Sequence, residues 1–125
     1  LKEYASGNFV IAGGDFNQSP PGFKPDFFFN VFDDDGFMMI PDDFLPDWHF
    51  VYDPTVPTNR RVVAPYDPAI TKTTLIDFFI ASPNVMPTGV QGIHLDFEHS
   101  DHNPVIAHFK LLGPHSMPPD QYIRR

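Results

Sequence analysis

Short apolar runs separated by long polar connections dominate the pattern of this chain. The runs at 8–12, 48–52 and 73–81 predict β-strands, because they are short and contain aromatic or β-branched residues. The runs at 90–97 and 105–111 predict two more strands. Apolar side chains occupy both parities within 73–81, which predicts that this strand is buried on both faces of a sheet.

The connections between these runs are rich in proline. Within 18–47 we expect at most one helical turn, near 42–45, and 53–71 is predicted to be a loop. The tail from residue 113 is expected to fray or to lie outside the sheet. Few amphipathic helices would then cover a sheet that is apolar on both faces, and such a face is rarely left in water. The pattern therefore predicts a structure that needs a further layer.

Composition limits the chemistry of the chain. A length of 125 residues predicts one domain, and the absence of cysteine excludes disulfides, thiolate catalysis and cysteine-zinc sites. The 8 Lys and Arg residues against 16 Asp and Glu residues give a formal charge of -8, which opposes binding to nucleic acid through charge alone. A bound divalent cation can offset carboxylates locally, so a nuclease stays open. No apolar run is long enough to span a membrane.

Two polar motifs flank predicted strands near opposite ends of the chain. Gly-Asp-Phe-Asn at 14–17 follows the first apolar run, and Ser-Asp-His-Asn-Pro-Val at 100–105 leads into the last one. Between them, Asp77 interrupts the apolar sequence Leu-Ile-Asp-Phe-Phe-Ile, where a buried carboxylate is costly unless it is paired. His102 is the partner that we expect, because a carboxylate can orient and stabilise a histidinium. The alternative is that Asp77 caps a turn or lies at a sheet edge.

Other polar residues have competing interpretations. Asp15 and Asn17 can present an acceptor and a donor to one phosphate, or they can form an Asx-type turn. Arg60 can bind a phosphate bidentately, or it can lie at the surface. The spacing of His99 and His102 is compatible with zinc, but no further ligand set accompanies it. The acidic segment 33–36 is better explained as a solvated turn than as a calcium site.

Together, the motifs at 14–17, 75–80 and 100–105 resemble the C-terminal half of the endonuclease/exonuclease/phosphatase family. These proteins are metal-dependent phosphoesterases with a deoxyribonuclease-I-like fold, and the likeness is to bacterial members. The resemblance implies an α+β fold: half of a four-layer α/β/β/α sandwich, with mainly one mixed β-sheet and few short helices. In this interpretation residues 1–125 are the C-terminal half of a single domain, and the N-terminal half, with the principal metal-binding Glu, is missing.

The same resemblance implies a mechanism. His102 would act as the general base on the attacking water, and Asp77 would hold its ring. Asp15 would orient or polarise the nucleophile and contribute to a metal site. Asn17 would hydrogen-bond a phosphate oxygen, and Asp101 would help to bind the metal. The implied cofactor is Mg²⁺, with Mn²⁺ or Ca²⁺ as alternatives.

The expected substrate is a phosphoester, either a small molecule, a lipid head group or nucleic acid, bound by Asn17 and Arg60. The acidic composition favours a non-polymeric or lipid-linked phosphate. The alternatives are an endonuclease or exonuclease, and a non-catalytic remnant or binding module. We expect the chain alone to be inactive or nearly so. A secreted or periplasmic location is expected only if a signal peptide precedes Leu1.

Overall fold

The computed structural model describes residues 7–24 and 38–112. Strands are the regular elements of this part of the chain, and they form three small antiparallel sheets. The first sheet has the order β1-β5-β2, and the other two are the pairs β3–β4 and β6–β7. The strands are β1 (Ile11–Asp15), β2 (His49–Val51), β3 (Asn59–Arg60), β4 (Thr73–Thr74), β5 (Asp77–Ala81), β6 (Val85–Gly92) and β7 (Val105–Leu111).

Strand β5 is the centre of the three-stranded sheet. It pairs with β1 from Ile11 opposite Ala81 to Asp15 opposite Asp77, and it pairs with β2 on its other side. Every residue of β5 is buried or half-buried, so the prediction of burial on both faces is confirmed. The register places Asp77 at one end of the sheet, directly beside β1.

One face of this sheet carries the apolar core. Phe78 and Ile80 are almost completely buried there, and the ring of Phe16 packs 4.6 Å from that of Phe78. Irregular segments supply the cover, since Ser19 donates from its hydroxyl to the Leu75 carbonyl at 2.7 Å. The buried members of this core are Phe23, Ile40, Leu45, Trp48, Leu75, Phe78 and Ile80.

The β6–β7 hairpin packs near the other face. Phe79 of β5 lies edge-on to Phe109 of β7, with ring centroids 5.8 Å apart. The hairpin has a register shift between Pro87 and Gly89, which bends it locally. Strands and loops therefore contact both faces of β5, whereas Ile11 of β1 and Ile106 of β7 stay exposed, and the expectation of a further layer stays a prediction.

The expected α+β sandwich with one mixed sheet is wrong. The described residues contain no helix, and their strands form three separate antiparallel sheets. Near 42–45 the chain forms a turn that is closed by the Phe44 amide donating to the Pro41 carbonyl at 3.1 Å, and it does not continue as a helix because Pro46 disfavours the α conformation of the residue before it. Leu45 also adopts a left-handed backbone with φ of 49°. The segment forms separate tight turns instead.

The individual strand predictions differ in outcome. The strand at 105–111 is confirmed as β7, and β2 lies within 48–52. The first run only overlaps β1, which extends further towards the carboxyl end. The bounds 90–97 are wrong, because β6 begins earlier and ends at Gly92. The predictions for 33–36 and for the tail from residue 113 fall outside the described residues.

The run at 73–81 is divided into β4 and β5 by two residues without ladder pairing. The amides of Ile76 and Asp77 both donate to the hydroxyl oxygen of Thr58, at 3.0 and 3.1 Å. The Thr58 side chain thus accepts the hydrogen bonds that a neighbouring strand would otherwise accept at this point. The apolar pattern of the sequence does not predict this break between β4 and β5.

Candidate active site

Asp77 and His102 form a close pair at the end of the central sheet. Asp77 is the first residue of β5, and its Oδ2 lies 2.8 Å from Nδ1 of His102. The Asp77 side chain is 18% exposed and the His102 side chain 33% exposed. The structure therefore brings together the two residues that the sequence analysis paired, in a partly buried setting where their hydrogen bond is stronger than in water.

Thr58 fixes the start of β5. It is 1% exposed, and its hydroxyl oxygen accepts from the amides of Ile76 and Asp77. Its own amide donates to the Thr74 carbonyl at 2.9 Å. Because both donors lie beside the carboxylate, this hydroxyl holds the backbone that aims Asp77 at the imidazole.

Asn103 holds the segment that carries His102. Its amide nitrogen Nδ2 donates to the Pro57 carbonyl at 2.8 Å, and its Oδ1 accepts from the backbone of Leu95 at 3.1 Å. Its backbone amide donates to the carbonyl of Thr58 at 2.9 Å. This buried side chain ties the loop before β7 to the same strand end that positions Asp77.

Asn59 sets the tautomer of the imidazole. Its Nδ2 donates to the backbone carbonyl of Asp101 at 3.1 Å, and a carbonyl can only accept, so this atom is the amide nitrogen. The same Nδ2 lies 3.3 Å from Nε2 of His102. Its second hydrogen makes Nε2 the acceptor, and Nδ1 then carries the proton that is donated to Asp77. This tautomer leaves the basic nitrogen on the side away from Asp77.

Two more carboxylates lie near that nitrogen. Oδ2 of Asp15 and Oδ2 of Asp101 are each 3.9 Å from Nε2 of His102. The other oxygen of Asp15 accepts from the backbone amide of Asn17 at 2.8 Å, so the Asx-type turn is present as well. The turn and an approach to His102 coexist because they use different oxygens of one carboxylate.

The pKa of His102 is raised above 6.5. Partial burial is the largest influence and lowers it, since it penalises the charged ring. The hydrogen bond to Asp77, together with the charges of Asp77, Asp101 and Asp15, outweighs that penalty. The site therefore favours an imidazolium more strongly than water does.

The cluster also has the donors of a cation site. Ligand atoms of Asp15, Asp77 and His102 all lie within 4.8 Å of one another. Asp101, predicted as a metal ligand, is not a member of this group, whereas Asp15 is. Two of the three ligands are carboxylates, which suit Mg²⁺, Mn²⁺ and Ca²⁺, and the third is an imidazole, so the group could hold a divalent cation without selecting one.

The remaining predicted residues have other contacts. Asn17 is exposed and has a left-handed backbone with φ of 55°, and the structure gives it the turn with Asp15. Nη1 of Arg60 donates to the backbone carbonyls of Arg61 and Ala64, at 2.9 and 3.0 Å. The Arg60 guanidinium therefore shapes the loop that follows it. Substrate binding by Asn17 and Arg60 stays a prediction.

A cavity of about 500 Å³ lies beside Asp77. Its lining residues are Ile11, Gly13, Gly14, Asp77, Phe78, Phe79, Asn103 and Val105. A smaller cavity of about 320 Å³ is lined by Phe16, Gln18, Ile40, Pro41, Phe44 and Ile80, none of which is an acid or a histidine. Of these two cavities, only the first has a titratable lining residue, Asp77, so it is the one that adjoins the candidate active site.

The chain matches no family model, and no curated protein or solved structure matches it either. The family resemblance therefore rests on the three motifs themselves. Among the residues that the structure describes, none forms a helix long and apolar enough to cross a membrane.

Proposed function

We propose that this chain carries the general base of a metal-dependent phosphoester hydrolase. The observation that supports this most directly is the 2.8 Å contact between Nδ1 of His102 and Oδ2 of Asp77. The contact with Asn59 makes Nε2 the unprotonated nitrogen, and a water that replaces this 3.3 Å contact would meet the lone pair that a general base needs. The three motifs that carry the family resemblance support the phosphoester as the substrate class.

Water is the nucleophile that this geometry favours. The chain has no cysteine, and the described side chains that approach Nε2 are the amide of Asn59 and the carboxylates of Asp15 and Asp101. His102 would take a proton from water at Nε2, and Asp77 would stabilise the imidazolium that forms. Proton transfer of this kind contributes about 10² to 10⁴ in rate.

A divalent cation belongs to the proposal for an electrostatic reason. Three carboxylates converge on this site, and they would repel an anionic phosphate unless positive charge offset them. Oxygens of Asp15 and Asp77 are placed to hold Mg²⁺ or Mn²⁺, while Nε2 of His102 is kept for the proton. Such an ion, when bound, neutralises charge that develops on the phosphoryl oxygens.

The test compares two histidines in the complete gene product. Hydrolysis of bis(p-nitrophenyl) phosphate is measured with Mg²⁺ or Mn²⁺ and with a chelator, for the wild type, His102→Ala and His99→Ala. His99 is a matched control, because its side chain is 80% exposed and lies three positions away. We expect His102→Ala to lose at least about a hundredfold in rate and His99→Ala to lose little. The chelator should remove the activity of the wild type.

Equal rates for His102→Ala and the wild type would refute the role of His102. No hydrolysis with either Mg²⁺ or Mn²⁺ would refute the proposal as a whole and would favour the non-catalytic module. Folding of each variant is checked by circular dichroism. Cation binding is measured separately, from the broadening by Mn²⁺ of the NMR signals of Asp15 and Asp77, which Asp15→Asn is expected to weaken.

A further inference from the structure

The connection between β3 and β4 exposes an unusual amount of apolar surface. Val62 is 63% exposed, Val63 is 90% exposed and Ile70 is 71% exposed, the three highest values for large hydrophobic residues in the described part of the chain. The connection also exposes Ala64, Pro65, Pro68 and Ala69. Contiguous apolar surface of this kind marks an interaction site more often than scattered exposed residues do.

Hydrogen bonds define the shape of this connection. The backbone amide of Asp67 donates to the hydroxyl of Thr71 at 2.8 Å, and the Asp67 carbonyl accepts from the amide of Ile70 at 3.0 Å. The Arg60 guanidinium binds two carbonyls at the start of the connection. The exposed residues therefore belong to a connection whose backbone is fixed by hydrogen bonds.

A ring contact anchors the same connection to the rest of the chain. Tyr66 packs edge-on against Phe97, with centroids 4.9 Å apart, while its apolar neighbours face outward. Tyr66 is half-buried, whereas Val62, Val63 and Ile70 stay exposed.

Positive charge concentrates at the base of the connection. The described residues include five cations, and three of them, Arg60, Arg61 and Lys72, lie at this base; the other two are Lys24 and Lys110. The amide of Arg61 donates to the carbonyl of Lys72 at 3.0 Å, so these two residues lie opposite each other at the end of the β3–β4 pair. Asp67 is the one acid within 61–72, and its carboxylate accepts from the Ala69 amide.

We propose that residues 61–72 dock this chain on the surface of a phospholipid bilayer that contains anionic lipid. An apolar tip above a cationic base matches the bilayer interface, where apolar side chains enter the acyl boundary and cations meet lipid phosphates. Val62, Val63 and Ile70 form the inserted part, and the cationic base of the connection lies next to the phosphates. The chain as a whole has a net charge of -8, which repels an anionic bilayer. We therefore expect docking to be weak, reversible and sensitive to salt.

Docking has a consequence for the substrate, which rests on the proposed function. Asn59 begins the same hairpin and contacts His102, so the hairpin joins the docking residues to the candidate active site. A site on that hairpin is brought towards the head groups when the tip inserts. The favoured substrate class is then a phosphoester carried by a lipid head group.

Vesicle co-sedimentation tests the docking. The complete gene product, the double variant Val63→Ser/Ile70→Ser and the control Met86→Ser are mixed with phosphatidylcholine–phosphatidylserine vesicles. Met86 is 42% exposed on β6 and is therefore an apolar surface residue outside the hairpin. We expect the double variant to bind at least about tenfold more weakly, because two apolar side chains lose their burial. Met86→Ser should bind like the wild type.

Charge and catalysis are separated by two more variants. Lys72→Glu should weaken binding to vesicles that contain phosphatidylserine and should leave the weaker binding to pure phosphatidylcholine unchanged. His102→Ala should sediment like the wild type, so a failure of catalysis is distinguishable from a failure of docking. Absence of binding by the wild type, or equal binding by the double variant, would overturn the proposal. A change of oligomeric state on size-exclusion chromatography, without vesicle binding, would assign the patch to a second copy.

Discussion

Asp15 and Asp77 face each other as directly opposed residues at the end of the β1–β5 pair. Like charges in this arrangement destabilise a sheet by roughly 0.2 to 1 kcal/mol. The nearby imidazole of His102 offsets this repulsion only while it is protonated. Two acids that are kept close together although they destabilise the fold are typical of a site whose charges serve binding or catalysis.

The repulsion predicts that Asp15→Asn stabilises the metal-free chain. Asparagine keeps an oxygen that can accept from the Asn17 amide, and it removes the charge opposite Asp77. At a pH where His102 is neutral, the free energy of unfolding should rise by about 0.2 to 1 kcal/mol in chemical denaturation. Asp42→Asn, at an exposed position, is the control and should change it less. A less stable Asp15→Asn variant would contradict this account.

The His102 ring is predicted to titrate above pH 6.5 in the metal-free protein. NMR of the ring protons measures this pKa directly. Asp77→Asn should lower it, because burial then acts with less opposition from hydrogen bonding and charge. An unchanged titration in Asp77→Asn would show that the 2.8 Å contact has no energetic effect in solution.

The same pKa sets the sign of a stability change. A group whose pKa is higher in the folded than in the unfolded chain stabilises the fold fully below the unfolded value, here 6.5. That contribution is lost as the pH rises through the folded pKa of His102. We therefore expect the stability difference between the wild type and His102→Gln to shrink across this interval. For catalysis the direction is opposite, and activity should rise as His102 loses its proton.

The sequence allowed the pairing of Asp77 with His102 to be predicted better than the architecture around it. Asp77 was identifiable because a carboxylate within an apolar strand needs a partner, and the structure places His102 against it. The connections were harder: the expected sandwich needed helices, but the described proline-rich segments form turns. A single sequence does not show which strands pair with one another, and so it does not predict three short sheets.

The supporting residues Thr58 and Asn59 were missed for a physical reason. They lie in a proline-rich segment without periodicity, and their partners Asp77 and His102 are 19 and 43 positions away. A polar residue in such a loop is ordinarily solvated, and only the folded chain reveals its buried contacts. Asn103 was part of a recognised motif, but its role in holding the loop also became visible only in three dimensions.

The role of Thr58 predicts a difference between two substitutions. Thr58→Val removes the oxygen that accepts from the Ile76 and Asp77 amides, and a buried donor without a partner costs about 1 to 3 kcal/mol. Thr58→Ser keeps the hydroxyl and loses one methyl group, which costs about 1 kcal/mol. Thermal and chemical unfolding should therefore rank the valine variant below the serine variant. The reverse order would mean that the methyl contact matters more than the hydroxyl.

Gly13 gives a test of packing beside the candidate site. A Cβ atom at this position would lie 2.6 and 2.7 Å from Cδ1 and Cε1 of Phe79, and that ring already packs edge-on against Phe109. Gly13→Ala should therefore destabilise the chain by about 1 to 3 kcal/mol, as overpacking usually does. Gly89→Ala is the matched control, since its Cβ would meet its nearest atom, in His108, at an ordinary 3.9 Å. Equal unfolding midpoints for the two variants would show that Phe79 yields freely, and the cavity beside Asp77 would then be adaptable rather than fixed.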